Sequence, residues 1–205
     1  MSSNIFKDSK TRDFWVWIDP TNFMTKHQVT LAGSFTSAGT TDTQENLMFT
    51  PNPNFRAAIS PFQSGLTIRY IAEYNLEIHR KHSFMNYPSR LQAIFLFDSE
   101  AEANKYRERH MAHVGNRLLK KVKTYAGYTF SRHDSSWVDF MRIGHSMDSD
   151  TIRTISESYW RGDATAANSL KSMGQDWSQD PIYEILFIGR VDFYDKSLPI
   201  SQNGV

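Results

Sequence analysis

Cysteine is absent from the 205-residue sequence. This absence excludes disulfides, zinc–thiolate sites and thiol nucleophiles together, and it fits a reducing compartment. The first residues, MSSNIFKDSKTRDF, lack the apolar run of a secretory signal peptide. No stretch approaches the roughly 18 uncharged apolar residues that a membrane-spanning helix needs. We therefore expect a cytoplasmic protein that does not associate with membranes.

The sequence also lacks the motifs of several large enzyme classes. It contains no Gly-rich phosphate loop, no GxSxG nucleophile elbow and no HExxH zinc motif. His133 and Asp134, with serines nearby, supply the residue types of a hydrolase triad, but adjacency in sequence is not triad geometry. Two histidine pairs have the i, i+3 spacing that can place two ligands on one helix face, although neither has a carboxylate in a known metal pattern: His79 with His82, and His110 with His113. No metal site is therefore predicted.

An excess of charge of one sign is missing too, since the formal net charge is +1. No global field therefore draws the protein to nucleic acid or to anionic lipid. Basic residues are nevertheless concentrated in one run, from Lys105 to Lys123, which holds seven lysines and arginines against the single acid Glu108. This run indicates either a surface that follows a phosphate backbone or a solvated helix face followed by an edge strand.

The apolar patterns predict one α+β domain over residues 13–196, with flexible ends at 1–12 and 197–205. Strands are expected where apolar and aromatic residues run together between turn residues, and helices where apolar residues recur at helical spacing. The predicted strands are 14–18, 93–97, 118–124, 128–131 and two in tandem within 182–195 that bend near Gly189; the predicted helices begin near 68, 100 and 150.

Cap and turn residues mark the ends of these elements. Ser99 is the expected N-cap of the second helix, and Glu102, three residues later, completes a capping box. Gly162 is expected to end the third helix. Residues 34–61 are polar and rich in Gly, Thr, Asn and Pro, which predicts a long loop. Long loops in compact domains are often functional, so this one is either a substrate lid or a disordered decoration.

Four segments carry a resemblance to a known family. In chain order they are FWVWID at 14–19, YPSRLQAIFLFDSEAEANKY at 87–106, SYWRGD at 158–163 and PIYEILFIGRVDFYD at 181–195. An early strand, a strand and helix led by Ser-Arg, a Tyr-Trp helix and a late strand bearing Glu occur here in that order. This order resembles a group of poorly characterised bacterial proteins related to the ADP-ribosyltransferases, and the resemblance covers about half of the chain.

The resemblance implies a split β-sandwich with flanking helices, with NAD as substrate in the cleft between two sheets. It also implies cleavage of the nicotinamide–ribose bond and transfer of ADP-ribose to a macromolecular acceptor, either a protein or a nucleic acid. Where the family has Arg or His on its first strand, this chain has Trp15 and Trp17. Arg12 and His27 are the nearby candidates to replace that group.

The chemistry needs a carboxylate that stabilises an oxocarbenium-like centre, an Arg for phosphate or ribose, and flat aromatic walls for nicotinamide. The candidate NAD-binding residues are Ser89, Arg90, Phe95, Phe97, Trp15 and Trp17. Arg90 is alternatively a surface residue beside a proline turn, and Phe95 and Phe97, on one strand face, are alternatively core. Tyr159 and Trp160 either support the cleft or belong to the core.

Glu184 is the candidate catalytic residue. It interrupts the apolar strand PIYEILFIG, and period-two alternation places it on one face with Ile182 and Leu186. A carboxylate in such a strand is costly to bury unless it is paired or lines a cleft, and violations of local pattern concentrate at functional sites. The alternatives are an edge-strand Glu turned to solvent or an ion pair with Arg190.

We therefore expect an NAD-dependent ADP-ribosyltransferase, acting as a toxin, a defence factor or a phage-encoded modifier. Lys120, Lys121 and Lys123 of the basic run are the candidate acceptor-binding residues. Two other functions stay open: an NAD glycohydrolase, which passes ADP-ribose to water at the same site, and a non-catalytic module on the same scaffold that binds nucleic acid or protein.

Overall fold

The structure, a computed structural model, describes residues 4–37, 66–143, 148–165 and 180–198. Within these ranges, strands and helices are interspersed along the chain. The strands are Ile5–Asp8 (β1), Asp13–Ile18 (β2), Ser34–Thr36 (β3), Ile94–Leu96 (β4), Leu118–Thr124 (β5), Tyr128–Asp134 (β6), Tyr183–Ile188 (β7) and Arg190–Phe193 (β8). The α-helices are Phe23–His27 (α1), Leu66–Ser83 (α2), Glu100–Arg109 (α3), Met111–Val114 (α4), Ser136–Ile143 (α5) and Ser149–Arg161 (α6), and a π-helical turn, Gln28–Ala32, follows α1.

The strands form two antiparallel four-stranded sheets. Sheet 1 has the order β1-β6-β7-β4, and sheet 2 has the order β2-β5-β8-β3. One backbone bridge joins them, because Trp15 of β2 and Phe97, just after β4, exchange two N–H···O bonds of 2.9 Å. The fold is therefore α+β, as the sequence predicts, and the two sheets are compatible with a sandwich.

The inner faces of the two sheets share one hydrophobic core. Period-two alternation turns Phe14, Val16 and Ile18 of β2 inward, together with Ile185 and Phe187 of β7. All five side chains are buried. Burial of this apolar surface is the main term that holds the two sheets together.

Helices cover the outer face of sheet 1. Leu186 and Phe95 point to this side and pack against α2, α5 and α6, where Trp137, Tyr159 and Trp160 are buried. A third, smaller cluster lies where α3 and α4 cover the junction of the two sheets, and its members are Trp17, Phe97, Ala103, Tyr106, Val114 and Ile182. The junction of the sheets is thus roofed by α3 and α4.

Several predicted elements are confirmed. Strand β5 has the predicted bounds, and Gly189 separates β7 from β8. The Ser99 side chain accepts a hydrogen bond from the Glu102 backbone N–H and caps α3. The Glu102 carboxylate does not complete the capping box in the predicted way, because it accepts from the Tyr183 N–H at 3.3 Å instead.

The prediction of a flexible end over residues 1–12 is wrong for β1. Residues 5–8 pair with β6, and the Phe6 ring stacks on Phe130 with 4.9 Å between ring centroids. The predicted loop at 34–61 begins instead with β3, and residues 38–61 lie outside the described residues. In the part of the chain that the structure describes, no helix has the length and apolar character to cross a membrane.

The start of β1 meets the end of α6. Gly162 caps α6 in the left-handed region, with φ of 77°, as its predicted role requires. The Asn4 side chain lies against Gly162 and donates a hydrogen bond to the Arg132 carbonyl of β6. A Cβ at position 162 would collide with the Asn4 side chain. This contact joins β1, β6 and α6 at one point.

Candidate active site

Glu184 lies on β7, which has a neighbour on each side in sheet 1. Its side chain is 1% exposed, and its Oε1 accepts hydrogen bonds from Arg90 and, at 2.7 Å, from the Tyr159 hydroxyl. Both alternatives from the sequence are therefore wrong: Glu184 is neither a solvent-facing edge residue nor a partner of Arg190, which pairs with Asp192.

Arg90 is buried rather than on the surface, with 3% of its side chain exposed. Its guanidinium donates to both Glu73 oxygens, from Nε at 2.7 Å and from Nη2 at 3.1 Å. Nη1 donates to the Tyr159 hydroxyl at 2.5 Å and to Glu184. Because Glu73 is on α2 and Tyr159 on α6, this one cation ties two helices to the central strand of sheet 1.

The charges of this group are set by burial and by each other. Burial raises the pKa of Glu184, and the charge of Arg90 opposes part of that rise. Burial alone would lower the pKa of Arg90, but Glu184 and Glu73 raise it well above its usual value. Burial also raises the pKa of Tyr159 well above its usual value. Tyr159 therefore stays protonated and can donate to the Glu184 carboxylate.

His133 supports Tyr159 from the neighbouring strand. Its ring stacks on the Tyr159 ring, with 4.5 Å between centroids and 19° between planes. Nδ1 lies 2.7 Å from the Tyr159 carbonyl oxygen, and Nε2 lies 2.7 Å from the Ser131 hydroxyl. Burial lowers the pKa of His133 to about 3. The neutral ring therefore donates through Nδ1 and accepts through Nε2.

A hydrolase triad is not formed around His133. Asp134 faces away from it and accepts hydrogen bonds from the Ser136 and Ile182 backbone N–H groups and from Thr165. The Ser131 hydroxyl donates to His133 Nε2, but the other ring nitrogen, Nδ1, bonds to the Tyr159 carbonyl and not to a carboxylate. His133 is therefore a packing and positioning group in this fold.

The second Glu184 oxygen, Oε2, is buried and has no hydrogen-bond partner among the described residues. Glu184 lines a cavity of about 20 Å³ at the junction of the two sheets, which has room for about one water molecule. The other lining residues are Trp17, Phe95, Phe97, Tyr106, His113, Val114 and Arg117. The cavity is thus walled by aromatic rings, with a bare carboxylate oxygen on one side.

The structure brings together four of the residues that the sequence predicted for the site: Trp17, Phe95, Phe97 and Glu184. Phe95 and Phe97 share a strand face, as predicted. The Trp17 ring is fixed because its Nε1 donates to the Ala103 carbonyl at 3.1 Å. Trp15, which contacts this cluster from beside it, does not line the cavity.

Ser89 does not face the cavity. Its hydroxyl donates to Glu77 at 2.9 Å and accepts from the Leu91 backbone N–H at 3.2 Å. The same Glu77 carboxylate pairs with Arg80, whose guanidinium also holds the Met85 and Tyr87 carbonyls. Ser89 therefore belongs to a network that shapes the turn before Arg90.

The three predicted acceptor-binding lysines do not lie on one surface. Lys121 and Lys123 are on the outer face of sheet 2, whereas Lys120 alternates to the other side of β5 and is 12% exposed. Lys120 pairs with Asp195 at 2.5 Å, and Lys121 pairs with Asp13 at 2.7 Å. Both outer lysines lie near the Tyr194 ring. The basic run in the sequence therefore combines lysines that strand alternation places on opposite faces of β5.

No group of three or more metal-ligating side chains occurs among the described residues. In the pair formed by His110 and His113, the two side chains have different surroundings. His110 Nε2 lies 3.1 Å from Asp139 Oδ2, whereas His113 lines the cavity.

Sequence reasoning missed three groups of this site. Glu73 and Tyr106 carry no local signal, since each acquires its role through contacts that only the fold creates. Arg117 was visible as part of the basic run, but that run predicts a surface and not a cavity. Its Nε is buried without a hydrogen-bond partner among the described residues, while Nη1 donates to the His113 carbonyl.

The chain belongs to a family described as "Protein of unknown function (DUF2441)", whose profile matches residues 6–196. No curated protein matches the chain. Except for Ile5, the first residue of β1, the matched range includes both sheets, and it includes every residue that lines the cavity.

Proposed function

We propose that this protein is an NAD-dependent ADP-ribosyltransferase with Glu184 as its catalytic carboxylate. One observation carries the proposal: one oxygen of the buried Glu184 has no hydrogen-bond partner among the described residues, and this side chain lines an aromatic-walled cavity where the two sheets meet. Retaining an unsatisfied buried carboxylate oxygen costs free energy, and such costs persist where they serve a function. The split-sandwich type of the transferases is part of this proposal.

The chemistry fits the cavity. Cleavage breaks the bond between the ribose C1′ and the nicotinamide nitrogen, and neutral nicotinamide leaves with the electron pair. The acceptor then forms a bond to C1′ and its proton passes to solvent. Positive charge develops on the ribose in between, and a fixed carboxylate stabilises that charge. Trp17, Phe95 and Phe97 supply flat walls for the nicotinamide ring.

Arg90 takes a different role from the one that the sequence suggested. Its guanidinium is occupied by Glu73, Tyr159 and Glu184, so we assign it to holding Glu184 and not to phosphate. A buried cation at Oε1 also favours the ionised form of Glu184, which the reaction needs. Arg90 and Tyr159 are therefore positioning residues.

The ring of nicotinamide is larger than a cavity of about 20 Å³. Binding therefore requires part of the cover that α3 and α4 form over the junction of the sheets to move away from the cavity. Of the residues that line the cavity, only His113 and Arg117 are not buried, so the opening lies at α4 and the turn after it. Lys121 and Lys123, on the outer face of sheet 2, remain the proposed acceptor-binding residues, without Lys120.

The decisive experiment is incubation of the purified protein and a cell extract with NAD labelled in its adenylate part. Label in protein or nucleic acid together with released nicotinamide supports a transferase. Nicotinamide release with free labelled ADP-ribose indicates the glycohydrolase. Intact NAD after incubation with every acceptor fraction contradicts the proposal and favours a non-catalytic binding module.

A further inference from the structure

Arg117 occupies the mouth of the cavity. It is the residue immediately before β5, in the turn that follows the one-turn helix α4. Its backbone N–H donates to the Val114 carbonyl at 3.1 Å. Its side chain is half-buried, so one guanidinium reaches both the cavity and the surface. The buried Nε has no hydrogen-bond partner among the described residues.

Within the described parts of the chain, two residues that line the cavity therefore carry unsatisfied polar atoms of opposite kind. Glu184 Oε2 is an acceptor in the interior, and Arg117 Nε is a donor at the mouth. A ligand that satisfies both carries a donor deep in the site and an acceptor near the opening. Because the acceptor would meet a guanidinium, an anionic oxygen fits best.

A second cation, Arg107, lies beside one wall of the cavity. Arg107 belongs to α3, and its guanidinium lies 5.3 Å from the centroid of the Trp17 ring. An acid, Asp19, also lies near Arg117: burial would raise the pKa of Asp19, but hydrogen bonds from Thr21 and Asn22, and to a smaller extent the charge of Arg117, lower it. The Asp19 carboxylate accepts from the Thr21 hydroxyl and N–H, which keeps it at the end of β2.

We propose that Arg117 binds the phosphate-bearing part of the ligand whose ring occupies the cavity. In naming this part as the diphosphate of NAD, the inference rests on the proposed function. As the ring enters, the Arg117 side chain leaves the His113 carbonyl, and its Nε and Nη donors become free for two phosphate oxygens. Arg117 thus closes the mouth of the cavity when no ligand is bound and binds the anionic part of the ligand when the cavity is occupied.

The test compares ligands that differ only in phosphate. Nicotinamide riboside and nicotinamide mononucleotide are titrated into wild type, Arg117→Gln and Arg117→Lys, with tryptophan fluorescence and calorimetry as readouts. Arg117→Gln should raise the Kd of the mononucleotide about tenfold or more, as expected for lost hydrogen bonds to a charged group. The Kd of the riboside should change less than about twofold, since it lacks the anion. Arg117→Lys should fall between, because it keeps the charge and loses the planar fork.

The matched control is Arg153→Gln, which removes one cation from the exposed side of α6. It should leave both affinities as in wild type. Asp19→Asn keeps the acceptor oxygen for Thr21 and removes the competing negative charge, so it should tighten mononucleotide binding. Circular dichroism and a urea titration confirm that each variant is folded.

Inorganic pyrophosphate separates this inference from the proposed function. If no nicotinamide compound binds wild type, but pyrophosphate binds and is lost in Arg117→Gln, the anion site stands and the NAD assignment fails. Equal loss of riboside and mononucleotide affinity in Arg117→Gln would assign Arg117 to the ring or to the fold, and it would overturn the inference. Unchanged mononucleotide and pyrophosphate affinities would overturn it as well.

Discussion

Two buried carboxylates on neighbouring strands are satisfied in opposite ways. Asp134 of β6 is 0% exposed, and each of its oxygens accepts two hydrogen bonds. Glu184 of β7 is equally buried, but its partners Arg90 and Tyr159 share one oxygen, and the other oxygen has no hydrogen-bond partner in the described part of the chain. The two strands pair directly, with Asp134 opposite Tyr183 and His133 opposite Glu184.

The difference separates a carboxylate that stabilises the fold from one that is available to a ligand. The four donors to Asp134 come from three separate chain regions, so this side chain joins β6, the start of α5, the segment after α6 and the start of β7. Glu184 has strong partners on one side only. The comparison predicts that mutation of the first changes stability and mutation of the second changes activity.

The largest effect is expected for Glu184→Gln. The amide keeps the shape and can still accept from Arg90 and Tyr159, but it no longer stabilises positive charge on the ribose. Turnover of NAD should fall on the order of 100-fold or more. The measurement is nicotinamide release at saturating NAD, with Glu157→Gln on the surface of α6 as control. A folded Glu184→Gln variant with wild-type turnover would remove the case for Glu184 as the catalytic residue.

Asp134→Asn should be the most destabilising of these changes. The side-chain NH2 group would face hydrogen-bond donors in place of a carboxylate oxygen, and at least one buried group would lose its partner. We expect a loss of about 2–3 kcal/mol in the free energy of unfolding. Urea denaturation of Asp134→Asn and Glu184→Gln tests the comparison directly. If Glu184→Gln lost more stability than Asp134→Asn, the two roles would have been assigned the wrong way round.

Tyr159→Phe should have an intermediate effect on activity. It removes the hydroxyl that donates to Glu184 Oε1 at 2.7 Å and accepts from Arg90 at 2.5 Å, but it leaves the stacked ring and the ion pair between Arg90 and Glu184. We expect turnover to fall about tenfold, the value of one hydrogen bond to a charged group. The affinity for NAD should change less, because Tyr159 does not line the cavity. The exposed Tyr125→Phe is the control, and an equal fall in that variant would refute a specific role for Tyr159.

The smallest change near neutral pH is expected from His133. Its pKa is about 3 in the folded protein and near the ordinary value of 6.5 in the unfolded chain. Between these values the unfolded state binds more protons, so stability should fall as pH drops from 6.5 towards 3. Imidazole NMR signals report the titration directly. A His133 that protonates near pH 6.5 without unfolding would contradict the buried, neutral ring.

The sequence was informative where a local pattern is violated. A carboxylate inside PIYEILFIG indicated that Glu184 lines a cleft, and the shared face of Phe95 and Phe97 followed from the same period-two rule. The α+β class and the bounds of β5 also follow from local patterns. These features depend on residues that are neighbours in the chain.

Pairings between distant residues could not be read in the same way. Arg90 and Glu184 are 94 positions apart, and the sequence offered Arg190 as a nearer partner. Strand β1 was missed because IFKD is short and half polar, and its stability comes from pairing with a strand more than 120 residues later. The basic run was read as one surface because the charge pattern does not tell which lysines strand alternation will turn inward.

The contact between Asn4 and Gly162 has a consequence for sequence variation within the family. A position with left-handed backbone conformation accommodates glycine best and asparagine next. At position 162, however, any side chain would also collide with the side-chain amide of Asn4. The two positions therefore share one small volume. In homologous sequences, a larger residue at the helix cap should coincide with glycine, alanine or serine at the position before β1. Glycine should be retained wherever that amide is retained, and this covariation would show that the contact between the start of β1 and the end of α6 is kept across the family.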